Sequence, residues 1–416
     1  MDMTIAHTID ELQSFLNQTL QVSNFSIKEV ALDSQKEWLV NKGVLSHKAG
    51  GFFHVVGYSE PESQNEHLVL FQPQGAYVGI LICRVKGTPY ILLQARVEPG
   101  NTGIAQYGPT IQSTPANYQR VHGGKTTSYL DYFIGYRPDA KPIFNASHLD
   151  LGERYYQKTK TLGFVEVPEL LATDKNSIWV SLDVVKEGLL FSNFFNADLR
   201  SMFTVFDWHG FMHNSVLKEP KTSSEYGRLF RKKAHWHYGG SLVPISSLKN
   251  WELSNRGVED HCGSGLSVRM YKISCINREV ATWCQPLMCS ENQGLSILVI
   301  RKKQQTTEVL IKSSLEFGIS GFYVALPTYL SYDDQGVPDR FLSCKLVNEM
   351  IQCEEGGRFM QNQSLNKLML ANESFELQEN EIWLSITEFK NLMRSSNVVS
   401  IQLRSIASLI PSILDY

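Results

Sequence analysis

The strongest constraint on the fold is that this chain repeats itself. Residues 178–181, with the sequence IWVS, reappear 204 residues later as IWLS at residues 382–385. The triplet Leu-Arg-Ser at residues 199–201 recurs at residues 403–405, with the same separation. Two matches at one offset predict a tandem duplication, in which each half of the chain forms the same kind of domain.

Earlier segments of the two halves also match. Residues 26–58 alternate like short strands joined by turns, and residues 241–273 pair with them, placing Trp38 opposite Trp251. Each half then continues with a polar loop, more strands and a final helix. This order predicts an α+β fold with a mainly antiparallel sheet in each repeat.

Capping residues and composition set the element boundaries. A capping box at residues 8–11 predicts a first helix near residues 9–21, and a second box at residues 385–388 opens a helix of the second half. The predicted division is a first repeat at residues 1–206, a linker at residues 207–237 and a second repeat at residues 238–416. The linker is expected to contain one helix, near residues 225–234. The chain has 416 residues and is 43% hydrophobic, which suffices for two domains with their own cores.

Charge and composition exclude several classes of protein. The net charge of −3 comes from mixed basic and acidic residues, so no nucleic-acid surface is expected. No apolar run reaches the length of about 18 residues that a transmembrane helix needs, and the N-terminal segment lacks the apolar region of a secretory signal. The seven cysteines are odd in number and form no C-x-x-C pair. We therefore expect a cytoplasmic protein with reduced thiols.

A polar segment, residues 92–118, follows an apolar strand-like run in the first half and turns often at glycine and proline. Its hydrogen-bonding side chains are Gln94, Arg96, Glu98, Asn101, Gln106, Gln112, Thr114 and Asn117. Such a segment between apolar strands is typical of a cleft that holds a polar ligand. The alternative is a long hairpin with solvated edges.

The second half carries an altered copy of this segment at residues 309–329. Residues 98–100 match residues 316–318 at an offset of 218, but Gln-Ala-Arg at residues 94–96 has become Lys-Ser-Ser at residues 312–314. The spacing of the matching residues is kept, whereas the hydrogen-bonding side chains are lost. This difference predicts that the first copy carries the chemistry and the second mainly supports it.

The polar set of the first copy extends past residue 118. It brings one carboxylate (Glu98), one phenol (Tyr118), one imidazole (His122) and two guanidiniums (Arg96 and Arg120) near each other in sequence. Arginine forks suit phosphate oxygens, and the other three groups can transfer protons. An ordinary ion pair, a half-buried ring and a loop hydrogen bond are the alternatives for these residues. The concentration of these side chains in one repeat favours a functional site.

The sequence does not match the common motifs for cofactor or metal binding. Residues 122–126 resemble the end of a phosphate-binding loop, but Gln119 stands where the first glycine is required. The histidines around residues 209–213 and 235–237 have no Cys or carboxylate at ligand spacing. There is no G-x-G-x-x-G fingerprint and no nucleophile elbow. We expect neither a cofactor nor a bound metal.

Several segments closely resemble the first repeat of the sugar-nucleotide 2,3-dehydratases, which act on dTDP-4-keto-6-deoxyglucose in deoxysugar biosynthesis. They are QARVEPGN at 94–101, PTIQSTPANY at 109–118, RVH at 120–122 and YLDYF at 129–133, flanked by LSHKAGGFFHV at 45–55, REVATWCQPL at 278–287 and EEGGRF at 354–359. The resemblance implies a duplicated Nudix-like fold, a homodimer, and two potential nucleotide-sugar pockets of which one is catalytic. The chain has no glutamate-rich Nudix box, which argues against magnesium-dependent pyrophosphate cleavage.

The implied reaction needs a base, an acid and donors for an enolate oxygen. The 4-keto group acidifies the C3 hydrogen, a base removes it, and the C2 hydroxyl leaves to give a 3,4-diketo-2,6-dideoxysugar without a redox cofactor. Glu98, Tyr118 and His122 are the catalytic candidates, with base and acid unassigned. The substrate-binding candidates are Gln94, Arg96, Asn101, Gln112, Thr114, Asn117, Arg120, Lys158 and Arg358. A Nudix-type nucleotide-sugar hydrolase and a binding-only paralogue remain alternatives.

Overall fold

A computed structural model describes residues 3–61, 63–119, 126–214, 240–261, 263–276, 278, 280–319, 322–333 and 336–415. The helix predicted near residues 225–234 lies outside the described residues, and so do Arg120 and His122. The fold is mixed α+β, built mostly from sheets, with two lobes of repeated architecture. Among the helices described, none is long and apolar enough to cross a membrane.

The first half contains thirteen strands and six helices within the described residues. Its strands are β1 (Ile5–Ala6), β2 (Ser26–Val30), β3 (Trp38–Asn41), β4 (Val44–His47), β5 (His54–Ser59), β6 (Glu66–Phe71), β7 (Ala76–Val85), β8 (Thr88–Val97), β9 (Ala105–Gly108), β10 (Ile111–Ser113), β11 (Lys141–Leu149), β12 (Thr159–Glu166) and β13 (Ser177–Ser181). Its helices are α1 (Ile9–Val22), α2 (Pro115–Tyr118), α3 (Leu130–Phe133), α4 (Leu182–Gly188), α5 (Ala197–Val205) and α6 (Trp208–Met212). The Thr8 side chain caps α1, which confirms the first predicted helix.

The second half contains thirteen strands and two α-helices within the described residues. Its strands are β14 (Ser241–Val243), β15 (Trp251–Ser254), β16 (Gly257–Asp260), β17 (Leu266–Ser274), β18 (Thr282–Ser290), β19 (Gly294–Lys303), β20 (Thr306–Ser314), β21 (Val324–Leu326), β22 (Tyr329–Ser331), β23 (Lys345–Cys353), β24 (Phe359–Met360), β25 (Gln363–Leu370) and β26 (Glu381–Ser385). Its helices are α7 (Ile386–Met393) and α8 (Ile401–Ala407). The predicted capping box at Ser385 and Glu388 is confirmed at the start of α7.

The large sheets of the two lobes match strand for strand. In the first lobe the path is β13-β8-β7-β12-β11, with β9 on β8, β10 on β7 and β1 added at the edge. In the second lobe β26-β20-β19-β25-β23 follows the same path, with β21 on β20 and β22 on β19. β7 pairs in parallel with β12 in the first lobe, and β19 pairs in parallel with β25 in the second. Each large sheet is therefore mixed.

The repeated Leu-Arg-Ser triplets lie on α5 and α8 and join the two lobes. Arg200 on α5 donates hydrogen bonds to the carbonyl oxygens of Leu189 and Phe191, both at 2.8 Å. Arg404 on α8 donates to the hydroxyl of Ser201 at 2.5 Å, across the joint between the helices. Both arginines are almost completely buried, and these bonds satisfy groups that burial would otherwise leave unpaired.

The two small sheets exchange strands. β2 of the first half pairs antiparallel with β17 of the second, from Ser26 opposite Ser274 to Val30 opposite Met270. β14, the counterpart of β2, pairs antiparallel with β5 of the first half. Each small sheet therefore includes a strand from the other half of the chain. The large sheets, in contrast, each contain strands of one half only.

Candidate active site

An open cleft of about 410 Å³ lies between the small sheet of the first half and strand β18 of the second. The lining residues are Glu37, Trp38, His47, Lys48, Ala49, Phe52, Phe53, Asn117, Arg278, Val280, Thr282, Trp283, Cys284, Gln285 and Arg358. Its volume falls in the usual range for small-molecule sites, about 300 to 1,000 Å³. Aromatic rings, two arginines and a lysine line one space, which suits a ligand with a flat ring and negative charge.

Hydrogen bonds between the two halves fix the walls of this cleft. The indole nitrogen of Trp38 donates to the Cys284 carbonyl at 2.8 Å, and the Cys284 amide donates to the Glu37 carboxylate at 2.6 Å. On the other wall, the guanidinium of Arg358 lies 4.4 Å from the centre of the Phe53 ring. Burial is the main factor that lowers the pKa of His47, which favours a neutral imidazole at pH 7. The cleft is thus preformed by contacts from both lobes.

Beside the cleft, three polar side chains leave the end of β8 on one face, because alternate residues of a strand point the same way. Arg96 donates from Nε and Nη2 to Oε1 of Glu98, at 3.1 and 2.7 Å, and from Nη1 to Oε1 of Gln94 at 2.7 Å. Glu98 is 5% exposed. The ion pair considered from the sequence is therefore present, and it orients a buried carboxylate.

Arg278 connects this row to the cleft. It lines the cleft and also a smaller hollow beside Gln94, Arg96 and Asn176. Its Nη1 lies 3.7 Å from Oε1 of Glu98. The carboxylate is therefore flanked by two guanidiniums, one from each half of the chain.

The second half also closes over the end of β8. The amides of Gly357 and Gln361 donate to the carbonyl oxygens of Pro99 and Gly100, at 2.8 and 2.7 Å. A Cβ on Gly356 would lie 2.8 Å from Cβ of Glu98 and 2.7 Å from Oδ1 of Asn101, so glycine is required for this close approach. The glycine pair of the EEGGRF segment thus lets the second lobe cover Glu98 and Asn101.

The corresponding position in the second lobe has a different environment. Gln157 donates to the Gly318 carbonyl at 2.7 Å, as Gln361 does to Gly100, so the same clamp is present. The carboxylate of Glu316, however, has no hydrogen-bond partner within the described residues. Burial, followed by the nearby Glu153, raises its pKa to about 8. Phe317 stacks on His67 with the ring centres 3.8 Å apart. A buried acid with a raised pKa thus replaces the arginine-held carboxylate of the first lobe.

Two predicted substrate-binding residues lie away from the cleft, in a buried polar network between the lobes. Lys158 pairs with Asp150 at 3.1 Å and Glu355 at 3.3 Å, and its side chain is 1% exposed. Gln112 donates to Asp198 at 2.6 Å. The ion pairs engage the ammonium group of Lys158, and pairing of β10 with β7 turns Gln112 to the interior.

The other predicted site residues are distributed as follows. Asn117 lines the cleft, whereas Thr114 and Tyr118, at the two ends of α2, are partly buried and are not among the lining residues given above. Arg358, a substrate-binding candidate from the sequence, also lines the cleft. Cleft residues that the sequence analysis missed include Arg278 and Trp283, which occur in a segment noted there for its resemblance alone. In the part of the chain that the structure describes, no group of three or more His, Cys, Asp or Glu residues is arranged to hold a metal ion.

Comparison with known proteins identifies the family. The sequence profile of the family described as NDP-hexose 2,3-dehydratase matches residues 9–206 and 228–410. A dTDP-4-dehydro-6-deoxy-alpha-D-glucopyranose 2,3-dehydratase from Saccharopolyspora spinosa is 26% identical, over 97% of this chain and 91% of its own length. Enzymes of the same description from Amycolatopsis orientalis and Streptomyces violaceoruber are 22% and 23% identical, over 96% and 94% of this chain and 90% and 94% of their own lengths. The chain therefore belongs to the NDP-hexose 2,3-dehydratase family.

Proposed function

We propose that this protein removes the C2 hydroxyl of dTDP-4-dehydro-6-deoxyglucose as a 2,3-dehydratase, and that the cleft beside Glu98 is its active site. One observation supports the assignment most strongly. A buried carboxylate, oriented by Arg96, lies next to a preformed cleft with aromatic rings and cations. A nucleotide sugar offers the matching groups, namely a flat base, a diphosphate and an acidic C–H bond beside a ketone.

In this proposal Glu98 accepts the proton from C3 of the sugar. Both donors that Arg96 directs to Glu98 bind Oε1, so we assign the proton transfer to Oε2. The amide nitrogen of Gln94 is a donor for a substrate oxygen, because its Oε1 already accepts from Arg96. Electrons released from the C3–H bond enter the C3–C4 enolate and then expel the C2 hydroxyl, which leaves as water once protonated. Tyr118 and His122 stay candidates for the acid.

The finer features implied by the resemblance belong to the same proposal. We assign each lobe to the Nudix-like folds, which is supported by the mixed sheet that both lobes share and by the helices that follow it. We also propose a cytoplasmic homodimer. Light scattering on the purified protein measures the mass directly, and a monomer at micromolar concentration would contradict the dimer.

Incubation with dTDP-4-dehydro-6-deoxyglucose in deuterated water, followed by mass spectrometry, tests the activity. A dehydratase yields a nucleotide-linked sugar that has lost one water. A Nudix-type hydrolase would release dTMP, and a binding-only paralogue would return the sugar without loss of water; either result would contradict the proposal. Because the described residues offer no metal-ligand cluster, we expect EDTA to leave turnover unchanged. Loss on chelation, restored by magnesium or zinc, would overturn that expectation.

A further inference from the structure

A buried polar network holds the start of residues 354–361, the second-lobe segment that closes over the end of β8 and is termed the covering loop. Oε2 of Glu355 accepts a hydrogen bond from the Tyr155 hydroxyl at 3.0 Å. It also accepts from the ammonium groups of Lys158 and Lys160, at 3.3 and 3.1 Å. Burial disfavours ionisation of Glu355, but the two lysines outweigh it and lower the pKa of the carboxyl below its ordinary value. Three donors of the first half therefore hold one carboxylate of the second.

The two lysines are themselves fixed by carboxylates of the first half. Each ammonium nitrogen lies 3.1 Å from Oδ2 of Asp150. Lys160 also donates to both carboxylate oxygens of Asp198, at 3.0 and 3.1 Å. The side chains of Lys158 and Lys160 are 1% and 2% exposed. Because a buried, well-partnered network of this kind is rigid, it forms a fixed anchor for Glu355.

Glu355 is one residue away from the contact with Glu98. Its neighbour Gly356 packs so closely that a Cβ there would lie 2.8 Å from Cβ of Glu98. The next amide, that of Gly357, donates to the Pro99 carbonyl at 2.8 Å. A displacement of Glu355 would therefore reach Glu98 through Gly356. Misplacement of a catalytic group by about 1 Å can reduce turnover about a hundredfold.

The second copy of this segment provides an internal comparison. Residues 150–160, DLGERYYQKTK, match residues 354–364, EEGGRFMQNQS, at the offset of 204. Both segments dock on the opposite lobe in the same way, since the amides of Gln157 and Gln361 make equivalent hydrogen bonds. Backbone contacts alone are therefore enough to dock such a segment.

The charged groups of the network are not repeated in the second copy. Leu151 stands at the position that matches Glu355. The positions that match Lys158, Lys160 and Asp198 carry Asn362, Ser364 and Gln402. The charged anchor thus accompanies the loop over Glu98, and its counterpart beside Glu316 is built from uncharged residues at these positions.

Building on the proposed function, we infer that Glu355 is a positioning residue for Glu98, and that its pairing with Lys158 and Lys160 holds the covering loop in the geometry that dehydration requires. Buried ion pairs are often no more stabilising than apolar side chains of similar size. Stability alone therefore does not account for charges that the second copy docks without. A fixed position for the loop that packs against Glu98 does account for them.

Hydrogen exchange of the full-length protein, followed by mass spectrometry, tests the anchor without turnover. In Glu355→Gln the amides of the covering loop should exchange roughly tenfold faster or more, as expected when a hydrogen bond to a charged group is lost and the loop opens locally. Amides of β19 should exchange as in the wild type. Glu349→Gln is the matched control, because it removes an exposed glutamate that also pairs with a lysine, Lys367, at 2.6 Å.

Turnover of dTDP-4-dehydro-6-deoxyglucose connects the anchor to Glu98. In Glu355→Gln, kcat should fall roughly ten- to a hundredfold, with a smaller change in KM, because the loop contacts the proposed base. Glu355→Asp keeps the charge and should recover part of the rate, and Glu349→Gln should keep the wild-type rate. The double variant Glu355→Leu with Lys158→Asn copies the second lobe and removes one charge of each sign. It should show the same loss of kcat and the same faster exchange.

Three results would overturn the inference. They are unchanged exchange in the covering loop of Glu355→Gln, equally faster exchange throughout the molecule, and faster exchange in the loop with a wild-type kcat. Failure of the proposed function would show differently, as a wild type that does not dehydrate the sugar, whatever the exchange measurement gives.

Discussion

At the residue scale, Glu98 and Glu316 occupy matching positions of the two lobes but have different environments. Both follow equivalent strands, and both are buried, at 5% and 2% exposure. Glu98 receives two hydrogen bonds from Arg96, whereas Ser314 stands at the matching position of the second lobe. The sequence predicted this loss of the arginine. The raised pKa of Glu316 was not predictable, because it depends on burial against residues 152–155 of the other half.

The raised pKa of Glu316 predicts a pH-dependent stability. The folded pKa is about 8 against an ordinary value of 4.5, so between these values the folded state keeps a proton that the unfolded state has lost. The free energy of unfolding should therefore fall as pH rises from about 5 to about 8, by on the order of a few kcal/mol. In Glu316→Gln, which stays neutral, this fall should be smaller.

Urea unfolding at pH 5 to 8 measures the effect. Glu373→Gln, at an exposed site, serves as the control and should follow the wild type. Parallel stability curves for Glu316→Gln and the wild type would show that Glu316 is ionised in the folded protein, contrary to the account.

At the element scale, the site depends on close backbone approaches between the lobes. The end of β8 binds the loop at 354–361, and the end of β20 binds residues 152–157. Local signals predicted α1 and the start of α7, because capping residues lie within a few positions of the helices they start. They did not predict the exchange of β2 and β14, since β2 pairs with a strand more than 200 residues away and nothing in its own sequence specifies that partner.

Gly100→Ala tests the approach at β8. Gly100 has a φ of +94°, and a Cβ there would lie 1.8 Å from the Phe359 carbonyl oxygen. The substitution should displace the second-lobe loop, reduce the free energy of unfolding by about 2 kcal/mol or more, and reduce turnover. Gly103→Ala is the matched control, with a φ of +75° and open space around its Cβ. Equal effects of the two changes would show that backbone conformation, and not the contact between lobes, is responsible.

At the scale of the whole molecule, the two lobes share an apolar core, and we expect them to fold as one unit. A single apolar core includes residues of both large sheets and of α5, α7 and α8. The repeat in the sequence was enough to predict the two-lobed α+β architecture, and the polar segment located Glu98 and its neighbours. The sequence could not show that Arg278 and Trp283 line a cleft near residues 94–98, because no motif links them to that segment and their proximity arises from how the lobes pack.

Dividing the chain tests this unity. Fragments 1–214 and 215–416 each lack a strand of a small sheet and one side of the shared core. We expect neither fragment to show cooperative thermal unfolding alone, and we expect co-expressed fragments to associate and regain dehydratase activity. Calorimetric scans and a turnover assay check both statements. A cooperative transition in an isolated fragment would contradict them.

The most direct test of the central claim compares Glu98→Gln with Glu316→Gln in a turnover assay on dTDP-4-dehydro-6-deoxyglucose. Both variants keep the shape of a buried side chain and remove its carboxylate. If the first lobe holds the active site, Glu98→Gln should abolish dehydration while dTDP still binds, and Glu316→Gln should retain most of the wild-type rate. Equal losses in the two variants, or full activity in Glu98→Gln, would contradict the account.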